Sequence, residues 1–160
     1  MARIATIGVY GWTLDAFLAA LQAADVGLLV DVRQRRGVRG SEYAWANAVR
    51  LQRSLAQARI VYEHHKELAP TTELRQLQYA EDAREGVGKR ARVRLAPVYA
   101  DRYRREILEA ADLRPLLAVL PDEGACALFC VERDPEACHR SIAAARLAEL
   151  AGLEVVHIRP

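Results

Sequence analysis

The chain has 160 residues, of which 52% are hydrophobic and 28% are charged, and its formal net charge is +2. This length suits one domain with a full hydrophobic core, and the hydrophobic fraction excludes an intrinsically disordered chain. The near balance of charges excludes a polycation, so any attraction for nucleic acid must come from local clusters of basic residues.

The sequence carries no targeting or membrane signal that we recognise. The first residues lack the pattern of a signal peptide, and no apolar run approaches the ~20 residues that span a bilayer. The three cysteines, Cys126, Cys130 and Cys138, are an odd number concentrated in one part of the chain, which is a poor disulfide framework. We therefore expect a cytoplasmic protein with reduced cysteines and no membrane contact.

In chain order, the apolar pattern predicts strands at residues 3–9, 26–32, 60–64, 124–132 and 154–158. Helices are predicted after Thr13, from about 41 to 58, through much of the charged section from 67 to about 120, and over 134–151. The second and fourth strands are apolar at nearly every position, as expected of parallel strands buried on both faces. The sequence therefore predicts one three-layer α/β domain over residues 1–160, with a mostly parallel, roughly five-stranded, Rossmann-like sheet.

The richest segment for chemistry is residues 130–141, where the fourth strand gives way to a helix that Asp134 is suited to cap. A thiol near a helix N-terminus and beside a basic residue can have its pKa lowered to about 3.5–7.5. Cys138 is thus a candidate nucleophile or redox-sensitive thiol, with His139 and Glu132 as candidate acid–base residues.

The same cysteines have a structural interpretation, because free cysteine is most often a small buried core residue. We expect Cys126 and Cys130 to pack in the core, whereas Cys138 and His139 remain open between packing and function. The segment lacks the short Cys-x2–4-Cys pair of structural zinc sites, so no metal ligands are predicted.

A second cluster follows the second strand, where Asp31 is expected at the buried strand end. A buried carboxylate needs a partner, so Asp31 would orient Arg33 or bond loop amides. Together with Arg39 and Arg140, Arg33 forms a candidate clamp for phosphate or carboxylate groups. A solvated surface loop is the alternative. The full set of arginines in this loop is Arg33, Arg35, Arg36 and Arg39.

Two further segments could contact a ligand. The turn containing Gly8 and Tyr10 precedes a helix, and its glycine permits close approach of a ligand. The basic run at residues 89–94, followed by Tyr99 and Tyr103, predicts either a nucleic-acid surface or a solvated helical face.

Three motifs together resemble the DUF488 family, a domain of unknown function. They are Thr6-Ile-Gly8, Asp31-Val-Arg33 and the Cys-Val-Glu…Asp-Pro…Cys-His-Arg block at residues 130–140. The resemblance covers nearly the whole chain and implies a small cytoplasmic α/β protein of bacteria or archaea with a Rossmann-like core. It implies no established activity.

Our leading hypothesis is an enzyme or ligand-binding protein with an anion site at the carboxyl edge of the sheet, where α/β folds usually bind ligands. The anion would be a nucleotide or a nucleic-acid component. One alternative is a non-catalytic module that binds nucleic acid or a partner protein, and another is a thiol redox or metal sensor. The sequence identifies no particular cofactor, substrate or oligomeric state.

Overall fold

Five parallel strands form one sheet in a computed structural model that describes residues 1–160. The strands are β1 (Arg3–Ile7), β2 (Val26–Asp31), β3 (Val61–His64), β4 (Ala125–Phe129) and β5 (Val155–His157). Their order is β3-β2-β4-β1-β5, which places β4 at the centre of the sheet between β1 and β2. The predicted five-stranded α/β architecture is confirmed, and the sheet is parallel throughout.

Helices fill the connections between these strands. The α-helices are α1 (Leu14–Ala23), α2 (Ala48–Gln57), α3 (Thr72–Glu85), α4 (Pro97–Tyr103), α5 (Arg114–Ala118) and α6 (His139–Ala151). Short 3-10 helices cover Ser41–Ala46, Lys66–Leu68, Lys89–Ala91 and Pro135–Ala137, and a π-helical turn covers Arg104–Leu108. No helix combines the length and the apolar character that crossing a membrane requires.

The core lies on both faces of β4, all of whose residues are buried. On one face the ring of Phe129 packs against Phe17 of α1, with 5.6 Å between the ring centroids. Helix α6 packs on β4 and β1 through buried residues such as Ala143 and Leu147. Two helical layers therefore enclose the sheet. Because β4 is buried between them, the segment that follows it begins in the interior of the domain.

The helix predicted over 134–151 is interrupted. A 3-10 turn at Pro135–Ala137 is followed by Cys138 in an extended conformation (φ −140°, ψ 143°), and α6 begins only at His139. The Asp134 side chain makes no capping hydrogen bond. The carbonyl of Glu136 accepts a hydrogen bond from the Leu95 amide (3.1 Å), a partner outside the helix, and this contact separates the first turn from α6.

The helix predicted from about 41 to 58 is also divided, with the break at Asn47. The Asn47 side-chain oxygen accepts a hydrogen bond from the Val38 amide (2.7 Å). The asparagine is therefore used to hold the arginine-rich loop after β2 rather than to continue a helix.

Candidate functional site

The carboxyl ends of β2 and β4 open onto a cavity of about 50 Å³. The cavity is lined by two cysteines, a histidine, one carboxylate and five cationic side chains. These are Cys130, Cys138, His139, Glu132, Arg33, Arg35, Arg75, Lys89 and Arg92. Strands of a parallel sheet end at the same edge, which explains why residues about a hundred positions apart in sequence meet there. Of the residues that the sequence analysis selected, Arg33, Glu132, Cys138 and His139 come together at this cavity.

Cys138 and His139 form a close and oriented pair. The Cys138 sulfur lies 3.8 Å from Nδ1 of His139, while Nε2 of the same ring lies 2.8 Å from the carbonyl oxygen of Val32. A carbonyl oxygen only accepts hydrogen bonds, so Nε2 carries a hydrogen and Nδ1 is the nitrogen that faces the sulfur. The imidazole is therefore positioned to exchange a proton with the thiol.

The surroundings favour the charged form of this pair. Burial alone raises the pKa of the Cys138 thiol, but a hydrogen bond from Cys130 and the positive charges of His139 and Arg140 outweigh burial and hold that pKa well below its usual range. Burial lowers the pKa of His139, and the adjacent sulfur of Cys138 more than offsets this and raises it. The site thus favours a thiolate beside an imidazolium.

Cys130 lies next to this pair, and the pKa of its thiol is shifted in the opposite direction to that of Cys138. Burial, together with the neighbouring Cys138 sulfur, raises the pKa of the Cys130 thiol well above its usual range. The two sulfur atoms and a ring nitrogen of His139 all lie within 4.8 Å of one another. The surroundings therefore favour a protonated Cys130 thiol beside a Cys138 thiolate, and the three atoms form a set of the type that binds soft metal ions.

Glu132 supplies the only carboxylate at the cavity. Its Oε1 lies 3.3 Å from Nη1 of Arg92 and 3.9 Å from Nζ of Lys89, whereas the buried Oε2 has no hydrogen-bond partner. Burial and the negative charge of Cys138 raise the pKa of Glu132, although Lys89 and Arg92 act against them. A buried carboxyl group with a free oxygen and a raised pKa is suited to proton transfer.

Arg33 reaches the cavity but is largely engaged by the protein. Its Nε and Nη2 donate to the two oxygens of Asp31 (2.9 and 2.8 Å), and its Nη1 donates to the carbonyl of Ala46 (2.8 Å). Asp31 also accepts a hydrogen bond from the Tyr62 hydroxyl (2.6 Å) and does not line the cavity. Asp31 therefore orients Arg33, as the sequence suggested, and only the remaining N–H groups of Arg33 are left for a ligand.

Arg140 and Gly8 lie behind the cavity wall rather than on it. Nη1 and Nη2 of Arg140, which is fully buried, donate to the carbonyl oxygens of Glu132 (2.6 Å) and Arg133 (3.1 Å). Gly8 packs against the same Glu132 carbonyl. These two residues hold the backbone that carries Glu132, and they are not placed to touch a ligand in the cavity.

Tyr10 and Arg39 line a second depression, a groove that adjoins the cavity. The cavity and the groove share Arg35, Arg75, Tyr79, Lys89 and Val131 as lining residues. The residues predicted to bind a ligand are therefore distributed over two connected spaces and the layer behind them.

Two arginines that line the cavity, Arg75 and Arg92, were not predicted as site residues from the sequence. Arg75 comes from α3 and carried no recognisable motif, whereas Arg92 belongs to the basic run interpreted as either a nucleic-acid surface or a solvated face. Arg92 is buried and bonded to both oxygens of Asp82, and Tyr99 and Tyr103 are buried as well. A solvated face is thus wrong for these residues.

A family model matches most of the chain. The family described as "Domain of unknown function DUF488" matches residues 13–147, which include β2, β4 and the Cys138–His139 pair. The chain belongs to the DUF488 family. Comparison with curated proteins and with solved structures finds no match.

Proposed function

We propose that this DUF488 protein is an enzyme that binds an anionic substrate at the carboxyl edge of the sheet and attacks it with the Cys138 thiolate. One observation carries the proposal: the Cys138 sulfur lies 3.8 Å from an imidazole whose other nitrogen is fixed on Val32. A nucleophile beside an oriented base is the arrangement of covalent thiol catalysis. The cationic lining of the same cavity supports an anionic substrate.

In the proposed step, the Cys138 sulfur bonds to an electrophilic atom of the substrate while the bond to the leaving group breaks. The leaving group departs with the electron pair and takes the Nδ1 proton of His139. Water then attacks the enzyme-bound group, giving a proton to the now neutral His139, and the thiolate is released. Glu132 is a second acid–base group, and the cationic side chains offset the negative charge that develops.

Alkylation of the folded protein tests this proposal. Iodoacetamide and the anionic iodoacetate are compared at near-neutral pH, and mass spectrometry locates the adducts. We expect Cys138 to react first, because burial raises the pKa of Cys126 to about 12 and also raises that of Cys130. The iodoacetate-to-iodoacetamide rate ratio should exceed that of a free thiol. Labelling of Cys138 only after unfolding in urea would contradict the proposal.

A thiol redox or metal sensor is the second candidate, and the clustering of Cys130, Cys138 and His139 within 4.8 Å favours it. Titration of the reduced protein with Co²⁺ tests the metal form of this role. A sulfur-to-cobalt charge-transfer band at one equivalent, lost in both Cys130→Ser and Cys138→Ser, would support a sensor. No band at stoichiometric Co²⁺ would contradict metal binding.

A non-catalytic module that binds nucleic acid or a partner protein remains the third candidate. The cationic side chains support it, but they give no reason for a thiol of lowered pKa beside an oriented imidazole. A purely binding module should lose no function when Cys138 is replaced by serine.

A further inference from the structure

All the charged side chains that line the groove beside the cavity are cationic. It has a volume of about 790 Å³, and none of its lining residues is an aspartate or a glutamate. Its cationic members are Arg35, Arg39, Arg75, Lys89 and Arg90. On a chain whose net charge is only +2, this is a marked local concentration of positive charge.

Most of these cations are not neutralised by the protein. Arg75 donates to two uncharged groups, the Gln34 side-chain oxygen (2.7 Å) and the Tyr79 hydroxyl (3.0 Å). Arg35 and Arg39 form no ion pair in the structure, and both are exposed. The buried arginines of the site differ, since Arg33 and Arg92 are each paired with an aspartate.

The remaining two cations have only weak or distant partners. Lys89 lies 3.9 Å from Glu132, the carboxylate of the cavity. Arg90 lies 3.8 Å from the exposed Glu42, and its Nη2 donates to the Arg39 carbonyl (3.3 Å). The exposed Arg90–Glu42 pair contributes little, and the buried Glu132 is shared between Lys89 and Arg92, so the groove keeps a positive potential that an anion can satisfy.

Two separate chain segments supply four of the five cations of the groove, and Arg90 joins these segments. Arg35 and Arg39 belong to the loop after β2, whereas Lys89 and Arg90 belong to the 3-10 turn after α3. The Arg90 guanidinium also lies over the ring of Tyr10, 5.0 Å from its centroid. The arginine-rich loop and the basic run, which the sequence analysis treated as separate candidate segments, thus contribute to a single surface.

We infer that the groove holds the phosphate groups of an extended substrate whose reacting group enters the cavity. This inference rests on the proposed function and specifies its substrate class. A cavity of about 50 Å³ accommodates only a small group, whereas the groove of about 790 Å³ falls within the range of ligand sites, about 300–1,000 Å³. Several spaced arginines suit a ligand with several phosphates, because guanidinium groups bind phosphate oxygens in pairs.

The phosphates have two possible sources, a nucleotide-like small molecule or the end of a nucleic-acid strand. Inorganic triphosphate and a short fluorescent single-stranded oligonucleotide serve as probes for the two. Both should bind more weakly as salt rises, and for the oligonucleotide the log–log slope should be about −0.7 per contacted phosphate. Binding of triphosphate alone identifies a small molecule, and much tighter binding of the oligonucleotide identifies a strand. Either result supports the inference that the groove binds phosphate groups.

Charge reversal locates the binding. Arg39→Glu and Arg75→Glu should each lower the affinity by about tenfold or more, because each removes a charged contact and adds repulsion. Arg94→Glu is the matched control, since Arg94 is exposed, pairs with Glu85 and lines a different depression. It should change the affinity by no more than about twofold. Equal losses in all three variants, or no binding of either probe, would overturn the inference.

A protection experiment tests the link to the cavity. A saturating probe should slow the labelling of Cys138 by the neutral reagent iodoacetamide, and this protection should disappear in Arg75→Glu. Bound probe with unchanged labelling would overturn the continuity of groove and cavity. The proposed thiol chemistry would survive that result, because it depends on labelling of Cys138 in the free protein.

Discussion

Gly8 stands against the backbone of Glu132 so closely that a Cβ atom at position 8 would lie 2.0 Å from the Glu132 carbonyl oxygen. The same carbonyl accepts the hydrogen bond from Nη1 of Arg140. The glycine of the Thr-Ile-Gly motif and the arginine of the Cys-His-Arg motif therefore meet at one atom. Their shared role is to fix the chain segment that carries the cavity carboxylate.

The first prediction concerns this contact. Gly8→Ala should lower the free energy of unfolding by about 3 kcal/mol, the upper end of the usual cost of overpacking, because a backbone carbonyl cannot rotate away. Urea-induced unfolding measures the change. Gly27→Ala is the control, since a Cβ atom there meets nothing within 4 Å, and it should be nearly neutral. Equal stability of the two variants would contradict the close approach.

The second prediction is the pH dependence of Cys138 alkylation. Because the pKa of Cys138 is lowered, the thiolate persists as the pH falls below the usual cysteine range, and the rate drops only when the pH passes the lowered value. His139→Gln removes the adjacent positive charge and should move the midpoint upward. A wild-type midpoint near 8.5, the value of an ordinary thiol, would contradict the ion pair.

The third prediction uses Glu132, whose negative charge opposes ionisation of the nearby Cys138 thiol. Glu132→Gln should therefore move the midpoint of Cys138 alkylation to lower pH, a result that a purely structural role does not require. Glu136→Gln serves as the control, because Glu136 is exposed and pairs with Arg159. An unchanged midpoint in Glu132→Gln would show that the two groups are not coupled.

The fourth prediction separates two arginines of one loop. Arg33→Ala leaves the buried Asp31 without its charged partner and should cost about 3–5 kcal/mol of folding free energy. Arg35→Ala, at an exposed position, should change stability by less than about 0.5 kcal/mol while weakening triphosphate binding. Unfolding and binding measurements on both variants test the difference. Reversed effects would mean that Arg33 is the ligand contact and Arg35 is structural.

Much of the fold could be predicted because it depends on local patterns. The apolar run that forms β4 and the helix that follows Thr13 are both present, and the Thr13 hydroxyl accepts a hydrogen bond from the Ala16 amide (3.2 Å). The break at Cys138 could not be predicted, because it depends on a hydrogen bond from Leu95, which is distant in sequence. Local propensity favours a continuous helix there, but the hydrogen bond between Leu95 and Glu136 is accompanied by an extended Cys138 that interrupts it.

The site was predictable only where its residues follow buried strands. Arg33 comes two residues after β2, and Cys138 and His139 lie at the start of the helix that follows β4, so the topology of the sheet brings them together. Arg75 and Arg92 come from the charged middle section, whose pattern carries no sign of burial. Arg92 can be buried because it pairs with Asp82, ten residues earlier, and no sequence rule identifies such a pair.

The hydrogen bond from His139 to the Val32 carbonyl has one more consequence. Because Nε2 donates to a backbone oxygen, only Nδ1 of the imidazole is free to exchange protons. The ring therefore cannot pass a proton from one nitrogen to the other and on to bulk solvent. Every proton that the ring accepts must leave by the side on which it arrived. In the proposed reaction, the leaving group and the attacking water would therefore exchange protons with Nδ1 in turn, so the first product would have to depart before the thiolate is regenerated.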